Sequence, residues 1–171
     1  IYFQGVHIGY GDIQMGNDLS ALLEDGVILD ISAAKGRKDV LQKLSSSLSK
    51  AIGLESQTVF DAVMERENLG STGVGEGVAI PPARLDGVDT PVGAFIRLRD
   101  GVDFDAIDGK PCDLVFMLIA PIGSGADHLR ALAQISRSLR DAALRERLRS
   151  AENANALKAA LCSNRISKTA A

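Results

Sequence analysis

A glycine-rich segment at residues 70–77 carries the residue types best suited to hold an anion. Four of its eight residues are glycine, and glycine tolerates the backbone angles that turn N–H groups toward a negative charge. Ser71 and Thr72 add two hydroxyl donors to the same segment. The segment lacks the Gly-Lys-Ser/Thr ending of a P-loop, and it follows a predicted helix, whereas a dinucleotide-binding fingerprint follows a strand. These residues alone leave two interpretations open, a phosphate-binding loop and an ordinary flexible connector.

Three side chains outside this segment could act on a bound anion. His128 is the only histidine beyond the first 17 residues, and imidazole titrates near neutral pH. Arg66 lies between two glutamates just before the glycine-rich segment, and Arg84 lies shortly after it. A guanidinium group matches phosphate oxygens, but a histidine at a helix start and an arginine in a charge run also occur as ordinary hydrogen-bonded or solvated groups. Both interpretations remain open on these residues alone.

Alternating or continuous apolar stretches predict the strands that would position these side chains. The predicted strands are residues 27–31, 78–80, 92–98 and 114–120. The last of them is entirely apolar, which is typical of a central strand buried on both faces. Pro81 and Pro82 remove two consecutive backbone donors, so we predict that the strand from Val78 ends there.

Helical spacing of apolar residues predicts the remaining elements. One helix would bury Val40, Leu41, Leu44, Leu48 and Ile52, and the next, with Ser56 as its N-cap, would bury Val59, Phe60, Val63 and Met64. Three later helices would begin at N-caps Asp127, Asp141 and Asn153, and Leu129, Leu132 and Leu139 of the first would face inward. Helices mixed with strands in this way predict a sheet covered on both faces.

Composition disfavours several classes of function. The formal net charge is −3 and the two signs are interspersed, so we expect no nucleic-acid partner. The longest apolar run, residues 114–120, is far shorter than the roughly 20 residues that cross a bilayer, so we expect no membrane insertion. Cys112 and Cys162 are the only cysteines and lack metal-site spacing. We expect a soluble cytoplasmic protein without metal or cofactor.

The length of 171 residues suits one compact domain. We predict a purification-tag remnant and flexible leader at residues 1–17, a single domain at residues 18–162, and a frayed tail at residues 163–171.

Three blocks in order, residues 66–85, 104–108 and 127–129, resemble the enzyme IIA components of the bacterial sugar phosphotransferase system. The resemblance is to the nitrogen-regulatory branch (PtsN-like, EIIA type-2) and covers roughly residues 19–161. It implies an α/β fold of the mannitol and nitrogen enzyme IIA type, with three α/β/α layers and a mixed, roughly five-stranded sheet. The active-site loop would lie at one edge of that sheet and face solvent.

The resemblance also points to a substitution at the reactive position. In this family the pattern Ala-Ile-Pro-His ends on the histidine that carries a phosphoryl group, and Pro82 occupies that position here. Proline offers a delocalised amide nitrogen and a saturated ring, so it cannot be the nucleophile. By resemblance, Arg66, Ser71 and Thr72 would bind phosphate, His128 would be the second active-site histidine, and Arg84 would be a possible docking residue.

The implied function is that of a nitrogen-branch enzyme IIA, which accepts a phosphoryl group from a histidine phosphocarrier protein and signals by protein binding. Regulatory targets in this branch include potassium transporters and sensor kinases. Because of Pro82 we expect this chain not to accept phosphate. The alternative is a non-catalytic binding module of the same fold, similar to the cytoplasmic domains of anion transporters, that acts without phosphorylation. Residues 66–73 favour the relay, and Pro82 favours the module.

Overall fold

A computed structural model of the protein describes residues 18–163. The predicted leader at residues 1–17 and almost all of the predicted tail lie outside the described residues. The helices are α1 Ser20–Leu23, α2 Arg37–Ile52, α3 Ser56–Leu69, α4 Gly125–Arg140, α5 Ala142–Ser150 and α6 Ala154–Leu161. The strands are β1 Val27–Ile31, β2 Gly73–Gly75, β3 Val78–Ala79, β4 Pro82–Leu85, β5 Val92–Val102 and β6 Cys112–Pro121.

The strands form one mixed sheet in the order β1-β5-β6-β3-β2, with β4 also paired to β6. β1 is parallel to β5, whereas β5 and β6 are antiparallel. β3 and β4 both run parallel to β6, and β2 is antiparallel to β3. β6, which contains the apolar run at residues 114–120, is therefore the central strand that its sequence predicts.

β3 and β4 occupy one continuous position beside β6. Val78 pairs with Leu114 and Pro82 with Leu118, so the register is the same on both sides of the break. The strand from Val78 ends at Ala79, before the prolines, as predicted, but the sequence did not predict that a further strand, β4, begins at Pro82 itself. Leu118 N–H donates to Pro81 O at 2.9 Å, and in this register the nitrogen of Pro82 points away from β6, so its missing proton costs no ladder bond. The sheet therefore has six strands in five positions.

Helices cover both faces of the sheet, which confirms the three-layer α/β/α prediction. On one face α2 and α3 pack over β5 and β6 in a core that includes Leu44, Val63 and Met117. On the other face α1, α4, α5 and α6 build a second core that includes Phe116 and Leu148. The two cores hold the ends of α3, β4 and α4 in fixed positions relative to one another.

Two of the four predicted N-caps are confirmed. Asp141 accepts from Ala143 N–H and Asn153 accepts from Ala156 N–H, as their side chains predict. Ser56 is instead the first residue of α3, after Glu55 as N-cap. Asp127 lies in the first turn of α4, which begins at Gly125 after Ser124.

The prediction that Leu129 faces inward is wrong, because its side chain is exposed to solvent. It is 67% exposed, whereas Leu139 of the same helix is 2% exposed. The exposure of Leu129 reflects its place at the rim of a surface cleft, which its side chain lines.

Candidate functional site

A surface cleft of about 510 Å³ lies between α3, β4 and the first turns of α4. It brings together four of the six residues that the sequence singles out for chemistry: Arg66, Pro82, Arg84 and His128. The remaining lining residues are mostly apolar: Ala62, Glu65, Leu69, Ala83, Leu129 and Leu132. The cleft thus combines two arginines and a histidine with an apolar surround.

Pro82 lies in this cleft at the start of β4 and is partly exposed to solvent. The preceding Pro81 is buried and its carbonyl is fixed by β6. Consecutive prolines restrict φ at both positions, so the backbone here is held rigidly. The side chain that this backbone presents to the cleft is a saturated ring without a lone pair.

The two arginines of the cleft have different surroundings. Arg66 Nη1 donates to Gly70 O at 2.9 Å, across the end of α3, and this bond leaves its other N–H groups available. Arg84 makes no hydrogen bond or ion pair with any residue between 18 and 163. A Cβ built on Gly125 would lie 3.9 Å from Arg84 Nη1, so the guanidinium reaches the start of α4. That helix end has no side-chain cap, and its N–H groups add positive potential.

His128 is buried in the first turn of α4, with 9% of its surface exposed. Its Nδ1 has no hydrogen-bond partner among the described residues. Burial is the main cause that lowers the pKa of His128, and the nearby positive charge of Arg84 lowers this pKa further. The imidazole is therefore neutral at physiological pH and keeps one nitrogen as a donor and the other as an acceptor.

The lowered pKa of His128 predicts a loss of stability in mild acid. The unfolded chain binds a proton at this residue near pH 6.5, before the folded protein does, so the free energy of unfolding should fall as the pH drops below about 6.5. NMR titration of the ring should give a midpoint below that of an exposed histidine. Arg84→Gln should raise the midpoint only in part, because burial remains, and Arg137→Gln on the exposed face of α4 should leave it unchanged. An ordinary midpoint in the unaltered protein would contradict this account.

Ser71 and Thr72 do not line the cleft. Ser71 Oγ donates to Phe104 O and accepts from Gly73 N–H. Thr72 is 5% exposed, and its hydroxyl donates to Glu67 Oε1 at 2.6 Å. Their predicted role in phosphate binding stays a prediction, and both hydroxyls are engaged within the protein in this structure.

Glu67 is the residue of this region whose role the sequence did not reveal. Its carboxylate is 5% exposed and accepts from Thr72 Oγ1, from Thr72 N–H at 3.3 Å and from Arg37 Nη1 at 3.0 Å. In the sequence it stands in a run of charged residues that suggested a solvated helix end. Thr72 of the glycine-rich segment does bind an anion, and that anion is the carboxylate of Glu67 in the same chain.

A tight hairpin turn holds the far end of the loop. Glu76 and Gly77 join β2 to β3 with positive φ values of 58° and 79°, the conformation of a type I′ turn. Arg149 Nη2 donates to Glu76 O at 2.6 Å and also pairs with Asp113 at 2.9 Å. The loop is thus tied to α5 at one end and to α3 at the other.

Other chemistries find little support within residues 18–163. No group of three or more His, Cys, Asp or Glu side chains could hold a metal ion. Burial raises the pKa of the Cys112 thiol to about 12, which leaves it unreactive. No helix in this range has the length and apolar character that a membrane span requires.

Residues 21–164 match the model of the family described as "Phosphoenolpyruvate-dependent sugar phosphotransferase system, EIIA 2". The nitrogen regulatory protein of Bradyrhizobium diazoefficiens is 41% identical over 143 residues, which cover 84% of this chain and 94% of that protein. The nitrogen regulatory protein of Pseudomonas aeruginosa is 41% identical over 140 residues, covering 81% and 91%.

Solved structures give the same picture. The nitrogen regulatory protein IIA-Ntr from Neisseria meningitidis matches with a TM-score of 0.76 and 35% identity, covering 84% of this chain and 98% of that one. The mannitol enzyme IIA from Escherichia coli matches with a TM-score of 0.66 and 22% identity, covering 81% and 96%, which supports the shared fold alone.

Proposed function

This chain belongs to the type-2 enzyme IIA family of the phosphoenolpyruvate-dependent phosphotransferase system, and from that premise we propose that it is a nitrogen-branch regulator that cannot accept a phosphoryl group. Enzyme IIA proteins of this system act with a phosphocarrier protein and with enzyme IIB proteins. The proposal concerns what this particular chain does when such a partner reaches its cleft.

The observation that carries the proposal is the position of Pro82. It lies in the same cleft as Arg66, Arg84 and His128, at the place where the family pattern puts the histidine acceptor. Transfer of a phosphoryl group between proteins requires a side-chain nucleophile with an available lone pair, and imidazole supplies one near neutral pH. A proline ring has none, so the cleft keeps cationic groups for phosphate but has lost the acceptor at position 82.

His128 is a poor replacement for the missing acceptor. Its Nδ1 is buried, so an incoming phosphoryl group does not reach this nitrogen in the present orientation of the ring. Only 9% of the surface of His128 is exposed, so a phosphoryl group on its ring would have to occupy space that other protein atoms already fill. We assign His128 the role of a hydrogen-bonding neighbour, as the resemblance implies.

Signalling would then depend on protein binding alone. Arg66 and Arg84 would contact an anionic group of the partner, whereas Ser71 and Thr72 would act on phosphate only if the loop opens. The histidine phosphocarrier of the nitrogen branch is the proposed upstream partner, and potassium transporters or sensor kinases are the proposed targets. The cytoplasm is the proposed location, in keeping with the free cysteines Cys112 and Cys162.

One observation favours the alternative function, a binding module of the same fold with no phosphorylation in its mechanism. Both hydroxyls of the predicted phosphate loop are bonded internally, to Phe104 and to Glu67. A loop closed in this way is suited to a fixed binding surface. The relay and the module predict different results when the histidine is restored.

Pro82→His is expected to convert the chain from an inert protein to one that is labelled stoichiometrically by the phosphorylated carrier. The backbone of β4 should tolerate the change, because in this register the nitrogen of residue 82 faces away from β6. The measurement is transfer of radiolabelled phosphate from phosphoenolpyruvate through enzyme I and the phosphocarrier. Pro82→Ala is the matched control and should remain unlabelled. A Pro82→His protein that is folded, by its thermal unfolding, but stays unlabelled would contradict the relay origin and favour the module.

A further inference from the structure

We infer that the cleft around Pro82 binds a phosphoryl group that stays attached to a partner protein. The chain would then bind the phosphorylated form of that partner more tightly than the unphosphorylated form, and release it with the phosphoryl group still attached. The inference rests on the proposed function, because it needs a cleft without an acceptor. It adds the state of the partner that the chain recognises. No bond is made or broken in the complex.

The cleft contains arginine side chains without a carboxylate partner, and these are the first observation behind the inference. Arg84 has no partner within the described residues, and Arg66 uses one N–H of its guanidinium for Gly70 O. Most arginines near the sheet are committed elsewhere, as Arg97 is to Asp30 and Arg149 to Asp113. Guanidinium groups without a carboxylate partner, beside an uncapped helix start, are complementary to a phosphoryl dianion.

The unsatisfied ring of His128 is the second argument. It is buried, lines the cleft and has an Nδ1 without a partner. An unpaired buried polar atom costs free energy, and neither ring nitrogen makes a hydrogen bond to a described residue that would fix the orientation of the ring. A rotation of the ring about its bond to the chain would let a phosphoryl oxygen accept its N–H, which supplies the missing partner. The charged groups that line the cleft with the ring are Arg84 from β4 and Arg66 and Glu65 from α3, and of these Arg84 acts on the ring. Asp127, on the same helix as the ring, is paired with Arg130.

The apolar rim indicates that the ligand includes a protein surface. Leu69 at the end of α3 is 81% exposed and Leu129 at the start of α4 is 67% exposed, and both line the cleft. A single exposed leucine is common, but two on opposite sides of one cationic cleft form a contact surface. A free phosphate ion would gain nothing from these leucines, whereas a protein that presents its phosphoryl group among apolar residues would bury both.

The absence of an acceptor decides the outcome of the encounter. In the cleft the phosphoryl group meets Pro82, which cannot take it. The partner therefore leaves with its phosphate, and its residence time is set by Arg66, Arg84 and the two leucines. The chain would act as a reader of the phosphorylation state of its partner, because added negative charge changes which surfaces are compatible.

The test is isothermal titration calorimetry of the full chain with the nitrogen-branch phosphocarrier, once unphosphorylated and once kept phosphorylated by phosphoenolpyruvate and enzyme I. We expect the phosphorylated form to bind roughly tenfold tighter or more, as new charge-assisted hydrogen bonds to two arginines would give. Arg84→Gln should reduce this ratio toward one, and inorganic phosphate should compete with the phosphorylated form only. Leu129→Ser should weaken the binding of both forms of the phosphocarrier by the same factor. Arg137→Gln, on the exposed face of α4, should change neither affinity.

Equal affinity for the two forms would overturn the inference, as would a ratio that Arg84→Gln leaves intact. The proposed function fails separately, if the unaltered chain takes label from the carrier. When Pro82→His is labelled and yet the unaltered chain does not discriminate, the proposed function stands and only the inference fails.

Discussion

Replacing Arg97 with methionine is expected to lower the free energy of unfolding by about 3–5 kcal/mol. Arg97 lies on β5 with 1% of its surface exposed. Its Nε donates to Asp30 Oδ1 at 2.9 Å, and its two Nη atoms donate to Leu148 O at 2.6 Å and to Ala151 O at 2.8 Å, at the end of α5. Methionine fills much of the volume but leaves these buried acceptors without donors. Urea unfolding at neutral pH gives the measurement.

Arg99→Met is the matched control for this effect. Arg99 contacts the same carboxylate, with Nη2 at 3.3 Å from Asp30 Oδ2, but its side chain is 51% exposed, so we expect a loss below about 1 kcal/mol. The hydrogen bond from Arg97 is the largest cause that lowers the pKa of Asp30. That contribution to stability is present above about pH 4 and is lost as the pH falls through the folded pKa. An Arg97→Met protein with unchanged stability, or with an unchanged pKa for Asp30, would contradict the account.

Replacing Glu67 with leucine should have the second-largest effect, a loss of about 2–4 kcal/mol. The change removes the acceptor of three hydrogen bonds, two from Thr72 and one from Arg37. The side chain of Arg37 is 32% exposed and can turn to water, which keeps the cost below that of Arg97→Met. Faster hydrogen exchange of the amides at residues 70–75 should accompany the loss, because Thr72 would lose the carboxylate that holds this part of the loop on α3.

Two variants make this prediction specific. Glu67→Gln should lose less than Glu67→Leu, because a rotated amide still accepts from Arg37 and from Thr72 N–H and donates to the Thr72 hydroxyl. Glu65→Leu, on the exposed side of the same helix, should be close to neutral. The account predicts this order of stability, and equal losses for the leucine variants at positions 65 and 67 would refute the role of the buried carboxylate.

Periodicity and turn chemistry predicted most of the fold, because each core helix has a continuous apolar stripe that meets one face of the sheet. Four of the five apolar residues predicted for the stripe of α2 are buried and Ile52 is partly buried, and the apolar run of β6 is buried as predicted. Asp141 and Asn153 were identifiable as caps because their side chains reach backbone N–H groups close by in the sequence. Such local interactions are visible in a single sequence.

The sequence was less informative where a side chain depends on distant partners. Arg97 and Asp30 are 67 residues apart in the chain, and nothing in the alternating pattern of β5 distinguishes a buried arginine from an exposed one. Glu67 stands in a charged run, and its burial depends on a loop that folds back over it. Leu129 fits an apolar stripe but lies at the rim of the cleft, where contact with a partner would replace contact with the core.

The candidate site shows the same division. A resemblance in motif placed Pro82, Arg66 and His128 in one active site, and the structure brings all three to one cleft. The resemblance did not distinguish the arginines that line the cleft from the hydroxyls of Ser71 and Thr72, which face inward. A sequence motif does not reveal the direction in which a side chain points. That direction is set by bonds to Glu67 and Phe104, which lie outside the glycine-rich segment at residues 70–77.

The central claim is that a cleft with cationic groups for phosphate has no side chain that can accept it. Intact-protein mass spectrometry of the unaltered chain tests this most directly, after incubation with phosphoenolpyruvate, enzyme I and the nitrogen-branch phosphocarrier. The account predicts an unchanged mass under conditions in which Pro82→His gains one phosphoryl group. A phosphoryl group on the unaltered chain, mapped to His128 or to any other residue, would contradict it.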